Sequence, residues 1–275
     1  MNKWALITGA SGGIGTEMAK ILAKDGYDLL LVDISETRLQ DLQQLVADTS
    51  PNTITNLIIV DLCQEEAAID IYRHVQNEKI NLHVLINNAG FGTLGLFPEV
   101  QWERDKRMIR LHVETLTHLT KLFLKDMLNQ SEGKILNVAS VAGFQPSPLM
   151  AVYNATKSYI ISFTEAIANE VQGTGVTITV LCPGLTKTGF QKSVGVGNPD
   201  FTRKKWLSDE AHSVAKLGIN GMQAGKVMVI PGILNNILAN LHRFLPRRIV
   251  TRLARKIQEK NRSFLVDSSS KGTSK

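Results

Sequence analysis

The sequence predicts a doubly wound α/β domain, a parallel sheet with helices on both faces. Two observations carry that prediction. Short β-rich runs alternate with longer amphipathic segments from Lys3 onward, the order that builds βαβ units. Several runs, such as Leu29-Leu30-Leu31-Val32 and Leu57-Ile58-Ile59-Val60, are apolar almost throughout, as strands covered on both faces are.

In chain order the expected strands are Lys3–Thr8, Asp28–Asp33, Asn56–Val60, Leu82–Asn87, Lys134–Ala139, Val176–Leu181 and Lys226–Pro231. Between them, Met18, Ile21 and Leu22, then Leu39, Leu42, Leu45 and Val46, recur at helical spacing, and Val152 to Val171 reads as a further helix. No composition shift interrupts this order before about residue 232. Residues 1–232 therefore read as one domain, 233–264 as a basic amphipathic helical extension, and 265–275, with Ser268-Ser269-Ser270, as a disordered tail.

A chain of 275 residues, 43% hydrophobic and 20% charged, buries a real core, which excludes a disordered chain. Its 21 glycines follow no three-residue period, which excludes collagen. Cys63 and Cys182 each sit in an apolar run, too few for a disulfide framework and without metal-site spacing. They read as core thiols in a reducing cytosol, and no metal is expected. The first apolar run is too short for a signal peptide. The longest charge-free stretch, Ile135 to Thr156, holds Asn137, Ser140, Gln145, Pro146, Pro148 and Asn154, so it is no bilayer span. The expectation is a cytoplasmic protein, peripheral on a membrane at most.

The net charge of +6 is unevenly placed. Residues 1–241 carry 21 basic and 23 acidic side chains, a net −2. Residues 242–262 set Arg243, Arg247, Arg248, Arg252, Arg255, Lys256, Lys260 and Arg262 against Glu259 alone, a net +7. Any acidic partner should meet this segment, not the body.

The first strand runs into Thr8-Gly9-Ala10-Ser11-Gly12-Gly13-Ile14-Gly15, after which a helical pattern starts at once. Glycines at 9, 13 and 15 allow a tight turn, close approach to a pyrophosphate and close packing of helix on strand. The helix N-terminus then offers free N–H groups to the phosphates. Gly9, Ser11, Gly13, Ile14 and Gly15 are thus candidate dinucleotide contacts. Asp33 ends the next strand, eighteen residues after Gly15. A carboxylate there accepts from adenosine ribose hydroxyls and repels a 2′-phosphate, which points to NAD rather than NADP. Arg38 is the nearby cation that could still serve NADP.

Ser140 ends the fifth expected strand, Tyr153 follows thirteen residues later, and Lys157 lies one helical turn beyond on the same face. A tyrosine is a poor base at neutral pH; a neighbouring ammonium and a positive nicotinamide ring would stabilise its phenolate. Ser140 can donate to a substrate oxygen as charge develops there.

In this order, Thr8-Gly-x-x-x-Gly-x-Gly15, Asp61-Leu62, Asn87-Asn88-Ala89-Gly90, Ser140, Tyr153-x-x-x-Lys157 and Pro183-Gly184 with Thr186 and Thr188 resemble the successive motifs of the short-chain dehydrogenase/reductase family. The resemblance covers residues 3 to about 232. It implies a Rossmann sheet in the order 3-2-1-4-5-6-7, with Asp61 and Leu62 at the adenine and Asn88, Ala89 and Gly90 flanking the dinucleotide. It further implies Tyr153 as acid/base, Lys157 on the nicotinamide ribose and lowering the tyrosine pKa, Ser140 orienting substrate, and Pro183, Gly184 and Thr186 on the carboxamide. A homodimer or homotetramer, paired through the helices after strands four and five, is implied as well.

One position departs from that pattern. His112 stands where the family usually carries an asparagine whose backbone helps place a water in a proton relay behind the lysine. A local helix kink would keep the relay; alternatively His112 itself shuttles protons near its reference pKa of about 6.5, or it merely fills the helix.

The stretch from Gly189 to Trp206 reads as a lid whose Phe190, Phe201 and Trp206 offer an apolar substrate wall, or as an ordinary surface loop packing its own aromatics. In the tail, Leu234, Ile237, Leu238, Leu241 and Leu245, then Ile249, Val250, Leu253 and Ile257, recur at helical spacing on either side of Pro246. Such a stripe beside a cationic face can lie on an anionic membrane; the other reading is a helix covering the body or a partner subunit. Nucleic acid is not expected, since the segment lacks interleaved aromatics and any reading motif. The expected activity is interconversion of a secondary alcohol and a ketone by hydride transfer to or from NAD(H), on a small, apolar carbonyl or alcohol substrate. The competing class is a non-catalytic dinucleotide sensor or a membrane-peripheral scaffold on the same fold.

Overall fold

The computed structural model describes residues 3–187, 209–241 and 246–271. The strands are β1 (Lys3–Thr8), β2 (Tyr27–Asp33), β3 (Thr55–Ile59), β4 (Leu82–Asn87), β5 (Gly133–Val138), β6 (Val176–Leu181), β7 (Thr186–Lys187), β8 (Asp209–Glu210) and β9 (Met228–Val229). Seven of them form one sheet in the order β3-β2-β1-β4-β5-β6-β9, with every pairing parallel. Counted within that sheet, this is the 3-2-1-4-5-6-7 order. The chain reverses its direction of travel between β1 and β4, and ligands of open α/β sheets bind at such switch points.

Alternation along each apolar run explains why it had to be apolar on both sides. Ala5, Ile7, Leu29 and Leu31 enter one core with Met18, Leu22, Leu39 and Ile219. Leu6, Leu30 and Val32 enter the other with Ile71, Leu119 and Phe123. The helices supplying these layers are α1 (Gly13–Lys24), α2 (Glu36–Thr49), α3 (Ala67–Asn77), α4 (Trp102–Ile109), α5 (Leu116–Gln130), α6 (Ala151–Glu170) and α7 (Ala211–Gln223). A π turn, Arg110–Thr115, joins α4 to α5. The extra residue in a π turn bulges the helix around His112.

The last strand of the sheet is shorter than expected, two residues instead of six. It pairs only with β6, and Gly232 at φ +84° turns the chain away soon afterwards. Strands β7 and β8 pair with each other, Thr186 against Asp209 and Lys187 against Glu210. Between them, the expected lid with Thr188, Phe190, Phe201 and Trp206 lies outside the described residues, as do Arg243 and Leu245.

The extension forms α8 (Ile233–Leu241) and α9 (Arg247–Lys271), split around Pro246. Helix α9 runs to Lys271, past the start of the stretch expected to be disordered from 265. Adding residues to a formed helix is far easier than nucleating one, so the serines continue it. No described helix is long and apolar enough to cross a membrane.

Candidate active site

The glycine loop leaves the C-terminal end of β1. Gly9 adopts φ +62°, and a Cβ there would lie 2.8 Å from the Ala89 backbone. At Gly15 a Cβ would lie 2.3 Å from the Gly9 carbonyl oxygen, so only glycine lets α1 start this close to the loop. No side chain caps α1, and Thr16 N–H bonds the Gly12 carbonyl as the helix begins. The N–H groups at Gly13, Ile14 and Gly15 are thus the helix-end donors that a phosphate would take.

Asn88 holds this loop in place. Its Nδ2 donates to the Thr8 and Gly9 carbonyls at 3.0 Å each, and Thr8 Oγ1 accepts from the Asn88 and Ala89 N–H groups. Asn88 and Ala89 therefore support the dinucleotide cradle from beneath. Asp33 is already engaged: Oδ2 accepts from Ser11 Oγ at 2.7 Å and Ser11 N–H at 3.1 Å, while Oδ1 accepts from Ile34 and Ser35 N–H at 2.8 and 3.4 Å. A carboxylate has about four acceptor sites. A ribose hydroxyl approaching Asp33 must therefore displace a bond such as that from Ser11 Oγ.

Asp61 pairs with Arg107 at 3.0 Å and accepts from Cys63 N–H. Partial burial alone would raise its pKa, but the Cys63 N–H bond and the Arg107 guanidinium outweigh it and hold the carboxyl below its usual range. The buried Leu62 gives its carbonyl to Thr115 Oγ1 at 2.8 Å, which ties this stretch to the π turn.

The expected catalytic residues come together. Ser140 caps the short 3₁₀ turn Val141–Phe144, and its Oγ accepts from Ala142 N–H at 3.2 Å. The same Oγ hydrogen-bonds the hydroxyl of the buried Tyr153. Lys157 Nζ donates to the Val138 carbonyl at 2.9 Å and stands 5.9 Å from the Tyr153 ring centroid. Gly143 makes the approach of α6 possible, since a Cβ there would lie 2.8 Å from the Lys157 carbonyl carbon and oxygen. The Pro183 carbonyl accepts from Val141 N–H at 2.9 Å and from Ser140 Oγ at 3.4 Å, which brings Pro183 and Gly184 beside the serine. Thr186 is buried, with its hydroxyl on the Gly184 carbonyl.

Burial decides the electrostatics of the site and corrects one expectation. Burial pushes the Tyr153 hydroxyl up to about 12 despite its bond to Ser140. Burial also brings Lys157 down to about 8. His112 is fully buried, and burial, then the Lys157 charge, hold it well below its ordinary 6.5. The expectation that it titrates near 6.5 does not fit this burial, and the imidazole rests neutral there. The geometry also assigns its tautomer: Thr156 Oγ1 donates to the Tyr153 carbonyl at 2.8 Å, so at 2.9 Å it accepts from His112 Nδ1–H. Nε2 is left as a buried acceptor with no partner, and it would lie 2.8 Å from a Cβ on Gly90.

Several supporting residues escape the sequence reading. Asn87 Nδ2 donates to Thr120 Oγ1 and Asn137 Oδ1, and Asn137 Nδ2 donates to Thr164 Oγ1, all buried beneath the site. Asn154 Nδ2 holds the Ala142 and Gln145 carbonyls at 2.7 and 3.0 Å, fixing the turn that carries Ser140. In the sequence, Asn137 and Asn154 register only as interruptions of an apolar stretch.

Comparison with known proteins agrees with this geometry. A family model described as short chain dehydrogenase matches residues 3–198. The chain is 32% identical over 213 residues to an uncharacterized oxidoreductase of Staphylococcus epidermidis, covering 78% of this chain and 87% of that one. It is 31% identical over 186 residues to an acetoacetyl-CoA reductase of an Acinetobacter species, covering 68% and 75%. Among solved structures, a short-chain dehydrogenase from Sphingobium yanoikuyae in complex with NADPH superposes with a TM-score of 0.77 at 25% identity, covering 90% of this chain and 97% of that chain. With the sheet order and the glycine loop already described, these matches establish that the chain belongs to the short-chain dehydrogenase family of oxidoreductases.

Proposed function

We propose that the protein interconverts a secondary alcohol and a ketone with NAD(H), using Tyr153 as general acid/base. The observation that carries this reading is the Ser140–Tyr153 hydroxyl pair with the Lys157 ammonium behind it, buried at the C-terminal edge of the sheet. The dinucleotide fits the cradle, because Gly9 and Gly15 let α1 begin close against the loop and its first-turn N–H groups are free of side-chain caps. When bound, its nicotinamide supplies or removes the hydride.

The chain's own residues manage the proton. In reduction, Ser140 Oγ and Tyr153 Oη donate to the carbonyl oxygen, and the tyrosine releases its proton as negative charge grows there. A hydroxyl held near 12 rests protonated and is ready as the acid. The Lys157 charge stabilises the phenolate left behind. His112 acts as a positioning residue, with its fixed neutral Nε2 acceptor beside Gly90 and Lys157.

NAD is favoured over NADP because the Asp33 carboxylate would repel a 2′-phosphate, and Arg38 lies exposed on α2. A carbonyl close to a thioester, as in the relative named for acetoacetyl-CoA, and a simple apolar ketone are the first substrates to try. Exposed Trp102 and Ile109 on α4 support pairing of copies through that helix.

A panel of ketones, diketones and 3-oxoacyl thioesters, run with NADH and NADPH, tests the reading. Turnover on at least one carbonyl with a higher specificity constant for NADH is expected. A higher constant for NADPH overturns the cofactor assignment, and inactivity across the panel with intact NADH binding overturns the enzymatic one.

The pH dependence of kcat/KM for reduction, which reports the free enzyme, should be flat from about pH 6 to 7.5. His112 stays neutral there and Tyr153 stays protonated. Above about 8, Lys157 loses its charge and the value should fall, approaching tenfold per pH unit. An inflection near 6.5 would restore histidine shuttling; a flat profile beyond pH 9.5 would remove Lys157 from the mechanism.

A further inference from the structure

We propose that α8 and α9 form a docking surface for an anionic lipid bilayer, seated at the rim of the active site. Helix α8 carries its amphipathicity reversed. Asn235 and Ala239 face the body, with the Asn235 side chain against Gly184 and its Nδ2 on the Pro231 carbonyl. The opposite side presents Ile233, Leu234, Ile237 and Leu238, which are 84, 43, 56 and 48% exposed. A surface helix of a water-soluble domain turns its apolar stripe inward; this one turns it out.

Helix α9 continues the pattern. Val250 and Ala254 are buried, while Ile249, Leu253 and Ile257, one turn apart, are 45, 51 and 54% exposed. Arg248, Arg252, Arg255 and Lys256 are exposed on the side away from Val250 and Ala254, with Glu259 as the only carboxylate among residues 242–262. Apolar side chains bordered by a dense cationic face are the arrangement that lies in the headgroup region of an anionic membrane.

Charge selects this occupant over the others. A second copy seated on the same face by two-fold symmetry would bring one +7 segment against another. Because α8 packs on the Val141–Phe144 turn and Asn235 on Gly184, a bilayer held here lies beside the catalytic cleft. Lipid-dissolved carbonyl compounds would then reach the site without crossing water.

Full-length protein co-sedimented with vesicles tests this, comparing phosphatidylcholine alone with phosphatidylcholine containing about a third phosphatidylserine. Partitioning at least about tenfold stronger onto the anionic vesicles, weakening as salt rises, is expected. Arg248→Glu with Arg252→Glu should remove most of that preference. Ile233→Ser with Ile237→Ser, and separately Leu253→Ser with Ile257→Ser, should each weaken anionic binding severalfold with unchanged circular dichroism and oligomeric mass. Equal binding to both vesicle types, binding to neither, or insensitivity to any of these three variants overturns the proposal. So does a fall in oligomeric mass in the serine variants, which would assign the face to a second copy.

Discussion

Tyr153→Phe is expected to lower kcat about a thousandfold with the fold and NADH affinity intact. The change removes one oxygen and no carbon, so the buried ring still fills its place. What is lost is the proton donor, and positioned acid/base catalysis contributes about 10²- to 10⁴-fold. Three decades correspond to about 4 kcal/mol of transition-state stabilisation. The hydrogen bond to Ser140 also disappears, at a folding cost of about 1 kcal/mol, too little to unfold the chain. Single-turnover measurement with bound NADH isolates the chemical step; a rate within tenfold of wild type would show that another group supplies the proton.

Gly15→Ala is expected to reverse the usual sign of its substitution class. In an unhindered helix, replacing glycine by alanine stabilises by about 0.5–1 kcal/mol. Here the new methyl would stand 2.3 Å from the Gly9 carbonyl oxygen and 3.0 Å from Ala10 Cα, both backbone. Neither can rotate away, so α1 must move off the loop it begins on. Overpacking of this kind costs about 1–3 kcal/mol, roughly 2–4 °C in melting temperature per kcal/mol for a chain of this size. The larger loss is in binding, since the first-turn N–H groups move with the helix; each hydrogen bond lost to a charged phosphate, worth about 1.5–3 kcal/mol, weakens NADH binding at least about tenfold. Isothermal titration with NADH reads this directly, and an unchanged Kd would mean that the loop does not hold the phosphates.

Elements that announce themselves by local pattern are legible in the amino-acid sequence alone. Six of the seven strands of the sheet start and end within one residue of their expected bounds, because runs such as Leu29–Val32 have no stable place except between two helical layers. The one-turn helical step puts Tyr153 and Lys157 on one face, whereas the meeting of Ser140 with them is legible only through the resemblance to a known family. The state of His112 is not. Its tautomer depends on Thr156, forty-four residues away, and its neutrality depends on complete burial beside Lys157. Likewise the spacing in α8 shows an apolar stripe but not the direction it faces, because only the packing of Asn235 on Gly184 decides that.

The side-chain bond from Asn87 to Asn137 has a consequence for how the site is assembled. These two residues are direct partners in the β4–β5 register. A slip of one residue between parallel strands would turn one amide of the pair to the opposite face and strand two buried polar groups, each costing about 1–3 kcal/mol. The pair therefore works as a gauge mark between the two strands. From it the chain counts one residue to Asn88, which braces the glycine loop, and three to Ser140, which meets Tyr153. The glycine loop and the Ser140–Tyr153 pair are thus indexed to each other by a contact that touches neither.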